Sequence, residues 1–173
     1  MWLKLIGGIL VLSASALIGA LLSEDIRRRP EELRELQGLL LIFENEMSYL
    51  SRPLPDVFQN ICSAGRTPVT GFFRKTLGYL RSCQGISASE AWEGAIDAVF
   101  PQTGLNGEDK AILMTFGKML GSADTEGHLK NIRLTAARLG IQEKKAVEIR
   151  DKNEKIYKTL GILGGIAIVI ILL

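Results

Sequence analysis

The distribution of charge along the chain is the feature that most constrains its fold. Residues 5–23 contain no ionisable side chain, and none follows Lys158 in the 173-residue sequence. All the acidic residues, and every basic residue except Lys4, lie between these two apolar runs. At about 1.5 Å per residue, a helix over the first run would be roughly 28 Å long, close to the thickness of the hydrocarbon core of a bilayer. The pattern predicts a charged middle between two membrane-spanning helices.

Each apolar run also admits an interpretation without a membrane span. Ala14-Ser15-Ala16 has the form of a signal-peptide cleavage site, but the run exceeds the about 7–15 apolar residues of a signal peptide and three arginines follow it. The second run would suit a helix buried in a soluble core, although it has no polar face. The organisation we expect is a first span over residues 1–23, a helical domain over 24–155 and a second span over 156–173.

Basic residues near the two runs predict the orientation. They are abundant on the side of the middle domain, whereas Lys4 stands alone on the far side. Because cytosolic flanks carry the excess of lysine and arginine, the asymmetry predicts an integral membrane protein with two spans and a cytosolic central domain. The residues that set this topology are Arg27, Arg28, Arg29, Lys155 and Lys158.

Small residues recur in both runs at the spacing that lets membrane helices approach closely. We expect them to mediate helix packing within the membrane. They are Ser15 and Gly19 in the first run and Gly161, Gly164 and Gly165 in the second.

The middle of the chain has the period of amphipathic helices and no sustained alternation typical of strands. Ser87 to Glu90 has the sequence of a capping box that opens the fourth of six helices. Asp124 is predicted to cap the sixth, in which Gly140 is a weak point. The apolar residues predicted to face inward are Leu33, Leu36, Leu40, Phe43, Met47, Leu50, Val57, Phe58, Ile61, Val69, Phe72, Phe73, Leu77, Leu80, Trp92, Ile96, Val99, Ile112, Leu113, Phe116 and Leu120.

Several function classes are disfavoured by composition and motifs. The net charge of only +2 argues against a nucleic-acid binder, for which a concentrated basic face is expected. Cys62 and Cys83 are too few for a disulfide framework, and no nucleotide loop, nucleophile elbow or zinc motif occurs. His128 has no partner identifiable by spacing, and Glu44 and Glu46, two residues apart, point to different faces of a helix. We therefore expect no enzymatic activity, cofactor, metal or small-molecule substrate.

Residues 105–134 carry a more distinctive sequence pattern than the rest of the chain. Residues 105–134 read LNGEDKAILMTFGKMLGSADTEGHLKNIRL, and KNEKIYKTLGILGG precedes the C-terminal apolar residues. Together with the N-terminal MWLKLIGGILVLSASALIG and the following RRRPEELRELQGLLLIFENEMSYL, these segments resemble the stage III sporulation protein AB family over nearly the whole chain. One departure is His128, where the family pattern leads us to expect glutamine.

The resemblance implies an all-α fold, a six-helix cytosolic bundle similar to the F-domain of platform proteins in type II secretion and type IV pilus machines, with a transmembrane helix on either side. It implies a non-enzymatic platform in the channel complex between mother cell and forespore, on the mother-cell side of the outer forespore membrane. The expected partners are the secretion-type ATPase of the complex, stage III sporulation protein AA, and its other membrane components.

Two questions stay open within this interpretation: how the chain assembles and which protein it docks. Secretion platforms usually carry two such domains, so this chain would need to form a homo-oligomer or to act with other membrane components. A membrane-anchored adaptor or regulator that docks a different cytosolic protein is the second reading of the function.

The partner-binding surface is predicted at the corner between the fifth and sixth helices. A structural reading is that Gly121 ends one helix and Asp124 caps the next; the functional reading is that Lys118 is exposed there for docking. The residues predicted to bind a partner are Phe116, Gly117, Lys118, Leu120, Gly121 and Asp124, with Glu44 and Glu46 on the first helix as a second face.

Overall fold

The structure, a computed structural model, describes residues 27–48, 53–65, 67–82, 85–120 and 125–172, without the side chains of residues 125–126, 157–158 and 160–172. All regular secondary structure in these ranges is helical, which confirms the predicted all-α class. The first helix, α1, covers residues 27–48. The others are α2 (Leu54–Ala64), α3 (Thr70–Ser82), α4 (Ala88–Val99), α5 (Gly107–Met119) and α6 (Thr125–Leu172), with a 3-10 helix at Phe100–Gln102.

The apolar stripe of α1 faces the core, as its spacing predicts. Its first four members are at most 1% exposed, and Met47 is half-buried. The apolar positions predicted for α2 and most of those predicted for α3 and α4 are buried as well. The buried members of the α1 stripe are Leu33, Leu36, Leu40 and Phe43.

A cluster of aromatic rings fills the core, with Trp92 of α4 at its centre. Its ring centroid lies 5.1 Å from that of Phe73 and 5.2 Å from that of Phe116, both edge to face, and 6.3 Å from the stacked ring of Phe58. The indole Nε1–H donates a hydrogen bond of 2.9 Å to the carbonyl of Leu113. Such ring pairs contribute about 0.5–1.5 kcal/mol beyond burial, so the cluster fixes how α2 to α5 pack.

Among the helices whose first turns the structure describes, two begin with capping boxes, of which the sequence analysis identified one. Ser87 and Glu90 cap α4 reciprocally, as predicted. Asn106 and Asp109 do the same for α5. The second box escaped notice because asparagine and aspartate replace the more familiar serine and glutamate.

The localisation predicted from the apolar runs is corrected by the structure. The helix α6 runs from Thr125 to Leu172, through Gly140, without a break. In the part of the chain that the structure describes, no helix is both long and apolar enough to cross a bilayer.

Several predictions concern residues or side chains outside the description. The first apolar run and Leu50 lie outside the described residues, and the domain boundaries at residues 24 and 155 stay predictions. The helical backbone of α6 includes the three glycines of the second run, whose packing also stays a prediction. The other predicted residues outside the described ranges are Ser15, Gly19, Cys83, Gly121 and Asp124.

The described residues fall into two compact units. One comprises Arg29–Lys144 and contains α2 to α5 with the greater part of α1. The other contains α6 from Lys145 onward together with residues 27 and 28, and in it Arg27 forms an ion pair of 2.8 Å with Glu154. The candidate docking site lies in the first unit.

Candidate docking site

The segment that carries the family resemblance on α5 belongs largely to the core. Phe116 is 1% exposed and packs edge to face against Trp92 and, with centroids 6.0 Å apart, against Phe43. Leu120, directly after α5, is 2% exposed. These two side chains therefore position the segment and offer no surface of their own to a partner.

Gly117 is required by the tryptophan at the centre of the core. A Cβ atom at this position would lie 2.2 Å from Cδ1 of Trp92 and 3.0 Å from its Cγ. Real Cβ atoms essentially never approach so closely, so either Trp92 or α5 would have to shift to admit a side chain here. The glycine lets α5 lie directly on the face of α4.

Lys118 and Met119 are the members of the segment that solvent reaches. Lys118 is exposed, and Met119 is 44% exposed. Because the neighbouring Phe116, Gly117 and Leu120 are fixed in the core, the backbone that carries the two exposed side chains is fixed as well. Of the residues predicted to dock a partner at this corner, Lys118 is thus the exposed one among those described, whereas Gly121 and Asp124 lie outside the described residues.

The second predicted face, on α1, is partly engaged within the unit itself. Glu44 accepts a short hydrogen bond from Nε of Arg133 on α6, and only 18% of its side chain is exposed. Glu46 is half-buried. Glu44 therefore takes part in the contact between α1 and α6. A partner that bound its carboxylate would have to compete with Arg133.

Arg29, Asp109 and Gln142 form a largely buried polar cluster that joins α1, α5 and α6 and was not predicted. We name this cluster the latch. Arg29 of α1 binds Asp109 of α5 with both its Nε and Nη2, at 2.8 and 3.1 Å, and Asp109 is fully buried. Arg29 also donates to Gln142 of α6 at 3.1 Å, and Gln142 donates to Glu108 at 2.9 Å. Arg29, which we assigned to topology, is thus a structural residue.

The latch accounts for part of the LNGED segment at residues 105–109. Glu108 and Asp109 are the acidic pair in LNGED, and Asp109 also closes the capping box by accepting a 2.9 Å hydrogen bond from the backbone N–H of Asn106. One carboxylate therefore caps α5 and neutralises Arg29. The signal in the sequence was the N-x-x-D spacing, although nothing in it pointed to Arg29.

A second polar contact holds α1 to α6. Glu143 accepts hydrogen bonds from Gln37 at 2.8 Å and from Arg34 at 2.9 Å. Partial burial would by itself raise the pKa of Glu143, but these hydrogen bonds and the charges of Arg34 and Lys144 outweigh it, so its pKa lies below the ordinary value. Gly140 permits the approach, because a Cβ there would lie 3.1 Å from Oε1 of Gln37.

The described residues hold no arrangement that resembles a metal site, since no three histidine, cysteine or acidic side chains come together in them. His128 is 8% exposed and lies on the inner side of α6. Cys62 is half-buried, and this burial raises the pKa of its thiol despite the charges of Arg74 and Arg81, which makes it a weak nucleophile. That the chain needs no cofactor stays a prediction.

Comparison with known proteins decides the family. The family model of stage III sporulation protein AB matches residues 4–173. The chain belongs to the stage III sporulation protein AB family. It is 30% identical over 171 residues to stage III sporulation protein AB of Bacillus subtilis (strain 168), with 99% of each chain covered.

A solved structure of stage III sporulation protein AB supports the fold. It matches with a TM-score of 0.68 and 28% identity, over 72% of this chain and 98% of the other. The resemblance inferred from residues 105–134 and from the two ends of the chain is thereby confirmed, and with it an assignment to sporulation.

Proposed function

We propose that this chain is a non-enzymatic platform component of a sporulation complex. Its helical unit binds the cytosolic secretion-type ATPase of that complex, stage III sporulation protein AA, and couples it to the remaining components. Family membership supports a place in sporulation. The internal organisation of the unit supports a docking function.

The observation that carries the proposal is the division of the FGKML segment between core and surface. Phe116 and Gly117 lie against Trp92, whereas Lys118 is exposed and forms no ion pair or hydrogen bond with any described residue. Because the backbone at Lys118 is already fixed, binding would cost the entropy of the side-chain rotamers and little backbone entropy. Lys118, with Met119 beside it, is therefore suited to contact an acidic group of a partner.

A binding experiment with a charge-reversal variant tests the proposal. The purified ATPase is titrated with the full chain, with Lys118→Glu and with the matched control Lys75→Glu, an exposed lysine on α3. We expect Lys118→Glu to abolish ATPase binding and sporulation while it changes the free energy of unfolding by less than about 0.5 kcal/mol. The control should bind like the unaltered chain.

Two other outcomes would change the proposal. If the unaltered chain does not bind the ATPase but retains a different cytosolic protein of the complex, it is an adaptor for that protein. If the ATPase binds the unaltered chain and Lys118→Glu equally well, the corner is not the contact, and the face of α1 that carries Glu44 and Glu46 is the next to test.

A further inference from the structure

The inner side of α6 is mixed in character, because Ile132 and Leu139 are buried there beside polar side chains. Four polar side chains face the interior, each at most 8% exposed, whereas Leu134 is 46% and Ile141 57% exposed. Leu134 and Ile141 thus lie on the solvent side of the helix, where polar residues are expected. The inward polar residues are His128, Asn131, Thr135 and Gln142.

The exposed apolar side chains form a continuous strip. Ala137, also exposed, lies between Leu134 and Ile141. The three positions are related as i, i+3 and i+7, which places them on one side of a helix, at the spacing by which one helix docks on another. Single exposed apolar residues need no explanation, but three in register on one face call for a partner.

Cations border this strip on both sides. Lys130, Arg138 and Lys144 are exposed, and at 100° per residue they lie with the three apolar residues within about 120° of arc. We call these six residues the outer face of α6. Among residues 127–144 the acidic residue is Glu143, which Arg34 and Gln37 hold on the side of α1.

We infer that the outer face of α6 docks an acidic amphipathic helix of another protein. Leucine-sized side chains of that helix would cover Leu134, Ala137 and Ile141, and its glutamates or aspartates would pair with the flanking cations. A second copy of the same face cannot be the occupant, because its cations would meet cations. This surface lies on a different helix from Lys118, so the inference stands independently of the ATPase contact.

Site-specific photo-crosslinking in sporulating cells tests the occupant directly. A benzoylphenylalanine is placed at Ala137, and at the exposed Ala111 of α5 as the matched control. The expected result is an adduct at position 137, absent at 111, whose mass-spectrometric peptide comes from a different protein and is an acidic amphipathic helix. An adduct with lipid, with nucleic acid or with a second copy of this chain overturns the inference, as does no adduct above the control.

Affinity measurements then test the recognition. The crosslinked segment is synthesised, labelled and titrated with the full chain by fluorescence anisotropy. We expect Lys130→Glu with Arg138→Glu to weaken binding at least about tenfold and to flatten its salt dependence, whereas Lys75→Glu leaves both unchanged. Leu134→Ala should raise the dissociation rate. Equal affinities for all variants would refute the assignment, provided that circular dichroism shows each of them folded.

Discussion

At the scale of single residues, Gly117 links the family motif to the core more directly than any charged residue. Its place is dictated by the ring of Trp92, whose Cδ1 atom occupies the position that a side chain would need. The sequence reading treated Gly117 as part of a docking corner. The structure shows instead that it determines how α5 lies on α4, and that the exposed Lys118 depends on it for position.

We predict that Gly117→Ala destabilises the protein although alanine favours helices. The added methyl group must displace Trp92 or α5, and overpacking of this kind costs typically about 1–3 kcal/mol. The control is Gly78→Ala in α3, where a Cβ would meet nothing within 4 Å, and a gain of up to about 1 kcal/mol is expected. Urea unfolding of both variants measures the difference; equal effects would show that Trp92 has room to move.

At the scale of helices, contacts between elements depend on polar groups that periodicity does not reveal. The stripes of α1 to α4 could be predicted, because apolar residues three and four apart must share a face. The latch could not, because Arg29 and Asp109 are 80 residues apart and each, taken alone, resembles an ordinary surface residue. Likewise, the docking corner was located by motif, but burial decides which of its residues a partner can reach.

The latch predicts a large effect for one substitution. Asp109→Ala leaves the guanidinium of Arg29, 15% exposed, without its carboxylate, and breaking a buried pair costs about 3–5 kcal/mol. Asp97→Ala breaks the exposed pair with Lys110, in which 64% and 36% of the two side chains are accessible, and should cost at most about 1 kcal/mol. Chemical denaturation distinguishes the two, and similar losses would mean that Arg29 finds water or another acceptor.

The contact of Glu143 with α1 predicts a dependence of stability on pH. Because the pKa of Glu143 is lower in the folded state than the ordinary value of 4.5, its contribution is fully present above that value. It is lost as the pH falls through the lower, folded-state pKa. Urea unfolding between roughly pH 3 and 6 should therefore show a smaller acid destabilisation in Glu143→Gln than in the unaltered chain. Identical profiles would assign the acid sensitivity to other carboxylates.

At the scale of the whole molecule, the unit Arg29–Lys144 contains both the aromatic cluster and the latch. We predict that a fragment with these bounds folds alone and unfolds in one step. Trp92 is its sole tryptophan, so its fluorescence and the helical circular dichroism should change together. Phe43→Ala should cost about 3–5 kcal/mol. Separate transitions, or a loss under about 0.5 kcal/mol, would contradict this account of the core.

The succession of contacts along the chain has a kinetic consequence. Each of α2 to α5 packs on the helix that follows or precedes it, whereas the latch and the pairing of Arg34 with Glu143 close segments of 80 and 109 residues. Near neighbours meet quickly and distant ones slowly. During synthesis on a ribosome, α2 to α5 can therefore assemble before α6 has emerged. We expect the distant polar contacts to form late and hence to affect mainly the rate at which the finished protein unfolds.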